Sequence, residues 1–260
     1  MLETGSFKDV IFAKGTNHNV GGKIDIFLYV VDGLLIDCGP QSMQEDISAF
    51  LRTQRITQAM LTHMHEDHSG MASWVQKELH VPIYLDAGDI EGARRDGQYR
   101  DYRRITWGDR PGFEPLPLPD RINTDKYSFE VVATPGHMAH HNVLFERNMG
   151  WLFSGDMFVR RKIRFCAEEE NIKQYMESLE KMLSLDFDTV FCAHAGIVEN
   201  GREKLCEKLA FLKDLQKTVE QLRRRGLKNR EISQEIFPGE PLITEVSEGE
   251  WSSYNIIKSI

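Results

Sequence analysis

The sequence has no apolar run long enough to cross a membrane. Nothing in its 260 residues approaches the ~18–20 that a spanning helix needs. It has no CxxC pair either. Cys38, Cys166, Cys192 and Cys206 stand far apart, as free thiols do in a reducing compartment. The opening stretch, MLETGSFKDVIFAKG, lacks the basic-then-apolar layout of a secretory signal, so the cytoplasm is the expected location. With 20 glycines and 9 prolines the chain is too poor in both for collagen or low complexity, and no internal repeat is visible. Positive charge is in deficit, 32 Lys and Arg against 40 Asp and Glu, a net of −8. That argues against a nonspecific nucleic-acid or membrane-surface binder, while leaving room for a local basic groove. What is present, 41% apolar and 28% charged residues, can bury a sizeable core in one large domain or two small ones.

Strands and helices are legible by pattern. IDIFLYVV (24–31) and GLLIDCG (33–39) read as a hairpin closed at Asp32-Gly33. Ser42 to Arg52 carries Met43, Ile47, Phe50 and Leu51 at helical spacing. ITQAMLT (56–62) is a short strand running into HMHEDHSG. Ser69 then reads as the N-cap of a helix that buries Met71, Trp74, Val75 and Leu79. VPIYL (81–85) is another strand. Residues 86–120 lose the pattern and read as an insertion or lid, with a short helix near Asp89–Arg95. Strands return at 127–134, 142–147 and 150–155, the last two joined by a turn at Asn148–Gly150. Asn171 caps an amphipathic helix, DTVFCAH (188–194) is a final strand, and helices follow over 202–225, 229–236 and 251–258. This order is an α/β layered architecture.

The histidines are the informative feature. His63, His65 and His68, with Asp67, form H-x-H-x-D-H directly after a strand. A chance polar loop is a poor explanation in a chain averaging one His in about 29 residues. On a strand, His63 and His65 share a face. Once the chain turns, Asp67 and His68 can swing to the other side of the same cavity. Imidazole suits Zn, Mn and Fe, and a carboxylate adds charge.

Three further segments end in metal-type residues: TPGH at His137, FSGD at Asp156 and CAHAG at His194. With H-x-H-x-D-H and the IDCG hairpin, this series resembles the metallo-β-lactamase superfamily over residues 63 to 194. The resemblance implies a four-layer αββα sandwich with the site at one edge, followed by a C-terminal helical extension. The expected division is residues 1–200 as catalytic domain and 201–260 as extension. It also implies that His63, His65 and His137 hold one metal, that Asp67, His68 and His194 hold a second, and that Asp156 bridges them. Seven protein groups are too many for one tetrahedral Zn and suit two ions sharing a carboxylate. The expected cofactors are two divalent ions, Zn first, with Fe or Mn as alternatives. Asp37 could accept a hydrogen bond from a ligand imidazole. His141 suits a supporting position behind the ligands. His140 falls where the family has glycine and is a candidate for touching substrate. His18 and His80 read as surface residues.

The implied chemistry is hydrolysis by a metal-bridging hydroxide, with Asp67 and Asp156 as catalytic carboxylates and Asp67 as proton carrier. No Ser-His-Asp arrangement is needed, and no GxSxG elbow is present. An ester, thioester or lactone is the first expectation, from the glyoxalase II-like and lactonase branches. The chain lacks the Gly-rich CG-x-F-type segment that glyoxalase II-like enzymes place after the bridging Asp, which argues against a glutathione thioester. Here that stretch is MFVRRKIRFCAEEEN, and Arg160 and Arg164 are its candidates for holding an anionic small molecule. A phosphodiesterase or RNA-processing nuclease is the alternative. It rests on Arg160–Arg164 and on the lid residues Arg94, Arg95, Arg100, Arg103, Arg104 and Arg110 with nearby aromatics. Yet residues 88–112 pair six Arg with five Asp or Glu, so internal ion pairs are the simpler expectation. An iron-dependent oxygenase needs only part of the ligand set, and a non-catalytic scaffold none of it. The tail helix, with its stripe from Leu205 to Leu222, is expected to pack on the sandwich, to shape the pocket or to make a homodimer contact.

Overall fold

The computed structural model describes residues 2–19 and 22–260, so Met1, Val20 and Gly21 lie outside the described residues. One sheet has seven strands in chain order: β1 (Glu3–Phe7), β2 (Val10–Asn19), β3 (Gly22–Val31), β4 (Leu34–Ile36), β5 (Gln58–Met60), β6 (Ile83–Leu85) and β7 (Leu116–Pro117). Its first four strands are antiparallel neighbours, and β4 to β7 run parallel. The β3–β4 turn places Asp32 at φ +46° and Gly33 at φ +85°. Positive φ at both central positions is the turn that Asp-Gly favours, because it matches the twist of the strands.

The next strands are β8 (Arg121–Asn123), β9 (Ser128–Ala133), β10 (Asn142–Glu146), β11 (Trp151–Gly155), the two-residue β12 (Cys166–Ala167), β13 (Thr189–Cys192) and β14 (Gly196–Val198). All but β12 form a second sheet in the order β14-β13-β11-β10-β9-β8. β12 instead pairs with β15 (Trp251–Ser252) near the C-terminus.

Side-chain alternation divides the core into three layers. On β3, Ile26, Leu28 and Val30 face helices Gln44–Arg52 and Ala72–Trp74, while Tyr29 and Val31 face the other sheet. On β11, Trp151 and Phe153 point between the sheets and Leu152 points to the outer helices. Strands buried on both faces read as continuous apolar runs, which is why IDIFLYVV and GWLFSG stand out in the sequence. Between the sheets, Phe153 and Phe191 stack with centroids 4.5 Å apart, and the Tyr29 hydroxyl donates to the Cys192 carbonyl at 2.8 Å. The outer layer behind β10, β11 and β13 comes from helix Ile172–Leu183 and helix Gly201–Arg224. Leu205, Leu212, Val219, Ile256 and Ile257 of the tail belong to the same cluster as Val143 and Leu152. The tail therefore shares the core of the sandwich.

Several segments depart from the sequence pattern. The helix after His65 starts at Glu66, three residues before the expected Ser69 cap. The Ser69 hydroxyl points backwards, donating to the carbonyls of Met64 and His65 at 2.9 Å each, so it is an intrahelical side chain. Segment 86–120 carries a second helix, Asp101–Trp107, and ends by adding β7 to the first sheet. The β1–β2 hairpin, β8 and β14 also lie outside the apolar runs, because most are short or half-exposed and need little apolar patterning. No helix among the described residues is long and apolar enough to cross a membrane.

Candidate metal centre

The ligand-type residues gather where β5, β9, β11 and β13 end. His63, His65, Asp67 and His68 follow β5, His137 follows β9, Asp156 follows β11 and His194 follows β13. Their glycines are steric requirements. Gly155 sits at φ +47°, and a Cβ there would stand 2.6 Å from His141 Nε2 and 2.9 Å from Thr62 Oγ1. Gly136, at φ +136°, lies against the backbone of Tyr175 with no room for a side chain.

Three sets of ligand-type atoms converge: His63 with His65 and His137, His63 with His68 and Asp156, and Asp67 with His68 and His194. Within each set the atoms lie within 4.8 Å of one another. His65 Nδ1 is 3.0 Å from both His63 Nε2 and His137 Nε2. His194 Nε2 is 3.2 Å from Asp67 Oδ2 and 3.3 Å from Asp156 Oδ2. Asp156 also places Oδ2 3.4 Å from His137 Nε2 and Oδ1 3.4 Å from His68 Nε2. Ligands held at ~2.0–2.1 Å around a tetrahedral ion are spaced by about 3.4 Å, so these separations suit a shared cation. The buried His68 Nε2 and Asp156 Oδ1 have no hydrogen-bond partner among the described residues. Orphaned polar atoms inside a fold cost stability unless something else satisfies them, and a cation between them would.

The outer nitrogens of the imidazoles fix their tautomers. His68 Nδ1–H donates to Asp37 Oδ2 at 2.8 Å, and His194 Nδ1–H donates to the Asp25 carbonyl at 2.7 Å. His65 Nε2–H donates to Glu169 Oε1 at 2.9 Å, while His137 Nδ1 lies 3.5 Å from Glu170 Oε2. The Thr62 hydroxyl donates to Asp37 at 3.0 Å, so toward His63 Nδ1, also at 3.0 Å, it can only accept. In four rings a protein acceptor takes the outer N–H, and in His137 Glu170 lies beside it, which leaves the inner lone pairs free for a metal. Asp37 accepts from both Thr62 and His68, as expected of it. His141 is different. Its Nε2 accepts from the Asp156 backbone N–H at 3.3 Å, so its Nδ1–H serves Thr134 Oγ1 at 2.8 Å. It supports the loop of Asp156 and offers no inward lone pair.

The charges are strongly coupled. Burial works against ionised Asp156, yet His194 and His68 outweigh it and hold its carboxyl well below the usual range. Burial likewise opposes the charged form of His68, and Asp37, Asp156 and Asp67 together raise its pKa well above the ordinary value. For His63, burial and the neighbouring His68 both favour the neutral ring.

Behind the ligands lies a layer that local sequence pattern does not reveal. Arg103 grips Glu66 through two parallel contacts, Nε–Oε1 at 2.6 Å and Nη2–Oε2 at 2.7 Å. Its Nη1 reaches Glu250 Oε1 at 2.8 Å and Glu169 Oε1 at 3.6 Å. Arg103, Glu66 and Glu250 are all buried. One guanidinium thus joins the H-x-H-x-D-H loop, the 86–120 insertion and the C-terminal segment. The hydrogen bond from His65 holds the Glu169 carboxyl down to about 2. On the other side, buried Lys208 of helix Gly201–Arg224 donates to the Phe158 carbonyl at 2.6 Å and to the Tyr175 hydroxyl at 2.7 Å. Tyr175 in turn donates to the Asp156 carbonyl at 2.9 Å. Burial pushes Lys208 down to about 8.

The centre opens into a cavity of about 310 Å³ lined by His65, Asp67, His137, Asp156 and His194. Arg160 and Arg164 line it as well. His140 does not reach it. Its Nδ1 pairs with Asp89 Oδ1 at 2.9 Å on the half-exposed face of the insertion. The lid arginines do not form a basic groove. Arg94 pairs with Glu91 and Glu114, Arg100 with Glu248 and Glu250, and Arg104 with Asp109, while Arg110 donates to the carbonyls of Gly92, Ala93 and Arg95. His18 and His80 are exposed.

Comparison with known proteins agrees with this geometry. Residues 26–194 match the family model described as the Metallo-beta-lactamase superfamily. A beta-lactamase-like protein 2 homolog of Caenorhabditis elegans is 27% identical over 183 residues, covering 67% of this chain and 56% of that protein. A hydroxyacylglutathione hydrolase of Hahella chejuensis is 28% identical over 160 residues, covering 55% of this chain and 49% of that protein. The chain spans about half the length of these curated relatives. Among solved structures, a metallo-beta-lactamase family protein from Thermus thermophilus superposes with a TM-score of 0.69 at 17% identity, covering 97% of this chain and 91% of that one. At that identity the likeness is one of fold.

Proposed function

The chain belongs to the metallo-beta-lactamase superfamily, and from that premise we propose that it is a metal-dependent hydrolase of a carboxylic ester, thioester or lactone. The observation that carries this reading is the set of five imidazoles around the centre, four with the outer N–H hydrogen-bonded to a protein acceptor and the fifth, His137, with Glu170 Oε2 3.5 Å from its Nδ1. His63, His65 and His137 would hold one ion, Asp67, His68 and His194 a second, and Asp156 both. Bound divalent ions, Zn by preference for this donor set, supply Lewis acidity that acidifies water and polarises a carbonyl.

The chain's own residues do the rest. Asp156 meets ligand atoms of both triads and keeps them in register. Asp67 holds Oδ2 at the cavity wall beside His194 Nε2, where it can orient a water and take its proton. Trp107, Ile163, Phe165 and Trp251 give the cavity apolar walls that shed bulk water and accept an acyl group. A relative named as a hydroxyacylglutathione hydrolase places acyl hydrolysis within the family. A phosphodiester reading finds less support, because the lid arginines that would grip a nucleic-acid backbone are bound to acids and carbonyls of the protein.

Parallel turnover assays of the metal-loaded protein test the proposal. They compare an acyl thioester, a homoserine lactone, an aryl ester and bis(p-nitrophenyl) phosphate, with Asp156→Ala as the blank. The expected result is turnover of at least one carbonyl substrate well above the blank. Turnover of the phosphodiester alone, or of nothing above the blank, would overturn it.

A further inference from the structure

The loop that leaves Asp156 carries more positive charge than the fold uses. Arg161 pairs with Glu207 at 2.6 Å, outside the cavity lining. Arg160, Lys162 and Arg164 all line the cavity and are exposed, and no ion pair or hydrogen bond among the described residues engages them. Lys23 of β3 lines the same cavity. The burial pattern alternates from Lys162 to Phe165: Lys162 and Arg164 are exposed while Ile163 and Phe165 are half-buried. The chain bends at Arg161, Lys162 and Arg164, so cations and apolar groups alternate along the wall of the same cavity. Just before it, Val159 sits at φ +37°. A β-branched residue in the left-handed region is costly and persists only where its surroundings enforce it, a pattern that clusters at functional sites.

The carboxylates of the cavity do not answer this charge. Asp67 and Asp156 face the imidazoles, and Glu170 lies against His137. A single carboxylate is satisfied by one guanidinium. Three unpaired cations and Lys23 around one opening match a polyanion, and the adjoining Ile163, Phe165, Trp251 and Ile243 match an apolar chain.

We infer that the substrate is an apolar acyl group carried on a phosphate-bearing thiol, with the acyl chain among the apolar walls and the phosphate at Arg160, Lys162 and Arg164. This rests on the hydrolase reading above. Hydrolysis breaks the acyl C–S bond. Water supplies the new carboxylate oxygen, one of its protons ends on the thiol, and the other leaves to solvent. The phosphate-bearing thiol could be a free coenzyme or a prosthetic arm on a carrier protein, and both present the same chemistry to the rim.

The test compares octanoyl-coenzyme A, octanoyl-phosphopantetheinyl carrier protein and octanoyl-N-acetylcysteamine, which lacks phosphate. Binding of the non-hydrolysable octyl-coenzyme A thioether is followed separately, on metal-stripped protein, by the fluorescence of Trp107 and Trp251. KM for the better of the two phosphate-bearing thioesters is expected to be at least about tenfold below that of the N-acetylcysteamine thioester. In the Arg160→Ala/Arg164→Ala double variant this ratio falls toward one, and thioether affinity falls by roughly tenfold. Whichever phosphate-bearing thioester has the lower KM identifies the source. Equal KM values for charged and neutral thioesters would overturn the inference and leave the hydrolase reading standing. Tight, arginine-dependent thioether binding without turnover of any thioester would overturn the hydrolase reading and the substrate assignment with it, leaving only a phosphate-binding rim. Displacement of the thioether by an RNA oligonucleotide at lower concentration than by coenzyme A would also overturn the inference.

Discussion

Asp156→Ala is expected to lower turnover by roughly a thousandfold or more and to release at least one metal, because the protein loses the one carboxylate that, among the described residues, meets both triads. Its Oδ1 stands 3.4 Å from His68 Nε2, and its Oδ2 stands 3.4 Å from His137 Nε2 and 3.3 Å from His194 Nε2. No neighbour can replace it. Asp67 serves His194 and His68, and Glu170 lies on the far side of His137. The backbone of residue 156 stays anchored, since its N–H donates to His141 and its carbonyl accepts from Tyr175. A folded protein with little activity and fewer bound ions is therefore the expected phenotype. Metal content and single-turnover rates on the same preparation check it, and a near-normal rate would contradict it.

Arg103→Met is expected to cost about 3–5 kcal/mol of stability, the range for breaking a buried ion pair from one side. The variant leaves Glu66, at 3% exposure, without its guanidinium, while Glu250 keeps Arg100 at 3.1 Å. Two parallel hydrogen bonds to Glu66 make Lys a poor substitute, because an ammonium cannot reproduce the fork. A second consequence separates this from a packing defect. Glu169 loses the cation beside it and holds the His65 tautomer less firmly, so metal affinity should fall by roughly 10–100-fold. Denaturant titration of the metal-stripped protein reads the first effect, and competition with a chelator reads the second. A loss below about 1 kcal/mol, within the range of an exposed pair, would show that Arg103 is not the tie between the three segments. Adding Glu66→Gln to Arg103→Met should recover part of the stability, since the stranded charge is removed.

The sequence carried the frame of this molecule unevenly, and the unevenness has physical causes. Strands β3, β10, β11 and β13 are buried on both faces, so their apolar runs are unmistakable. Asn171 caps helix Ile172–Leu183 by accepting from the Gln174 N–H at 3.1 Å, a local device visible in the residues themselves. His63, His65, Asp67 and His68 form one local motif after a strand and stand out by themselves, whereas His137, Asp156 and His194 come from the resemblance of TPGH, FSGD and CAHAG to the family pattern. Glu66, Glu169, Glu170, Lys208 and Arg103 were not legible. Arg103 reaches Glu66 across 37 residues and Glu250 across 147, and only the folded sandwich brings them together. In the insertion the near-balance of six Arg against five Asp or Glu already points to internal ion pairs, and the structure supplies them, some local and two arginines reaching Glu248 or Glu250. Ser69 was misplaced because a serine before an apolar run is the usual cap signal, whereas here the preceding metal-type loop already winds into helix.

The most direct test is the number of ions each chain binds. Metal-stripped protein is reloaded with Zn²⁺ in modest excess, freed of unbound metal, and measured by elemental analysis against protein concentration. The proposed assignment of His63, His65 and His137 to one ion, Asp67, His68 and His194 to another, and Asp156 to both predicts two per chain, and no more than one in Asp156→Ala. One ion or fewer in the wild-type protein would contradict the two-metal centre.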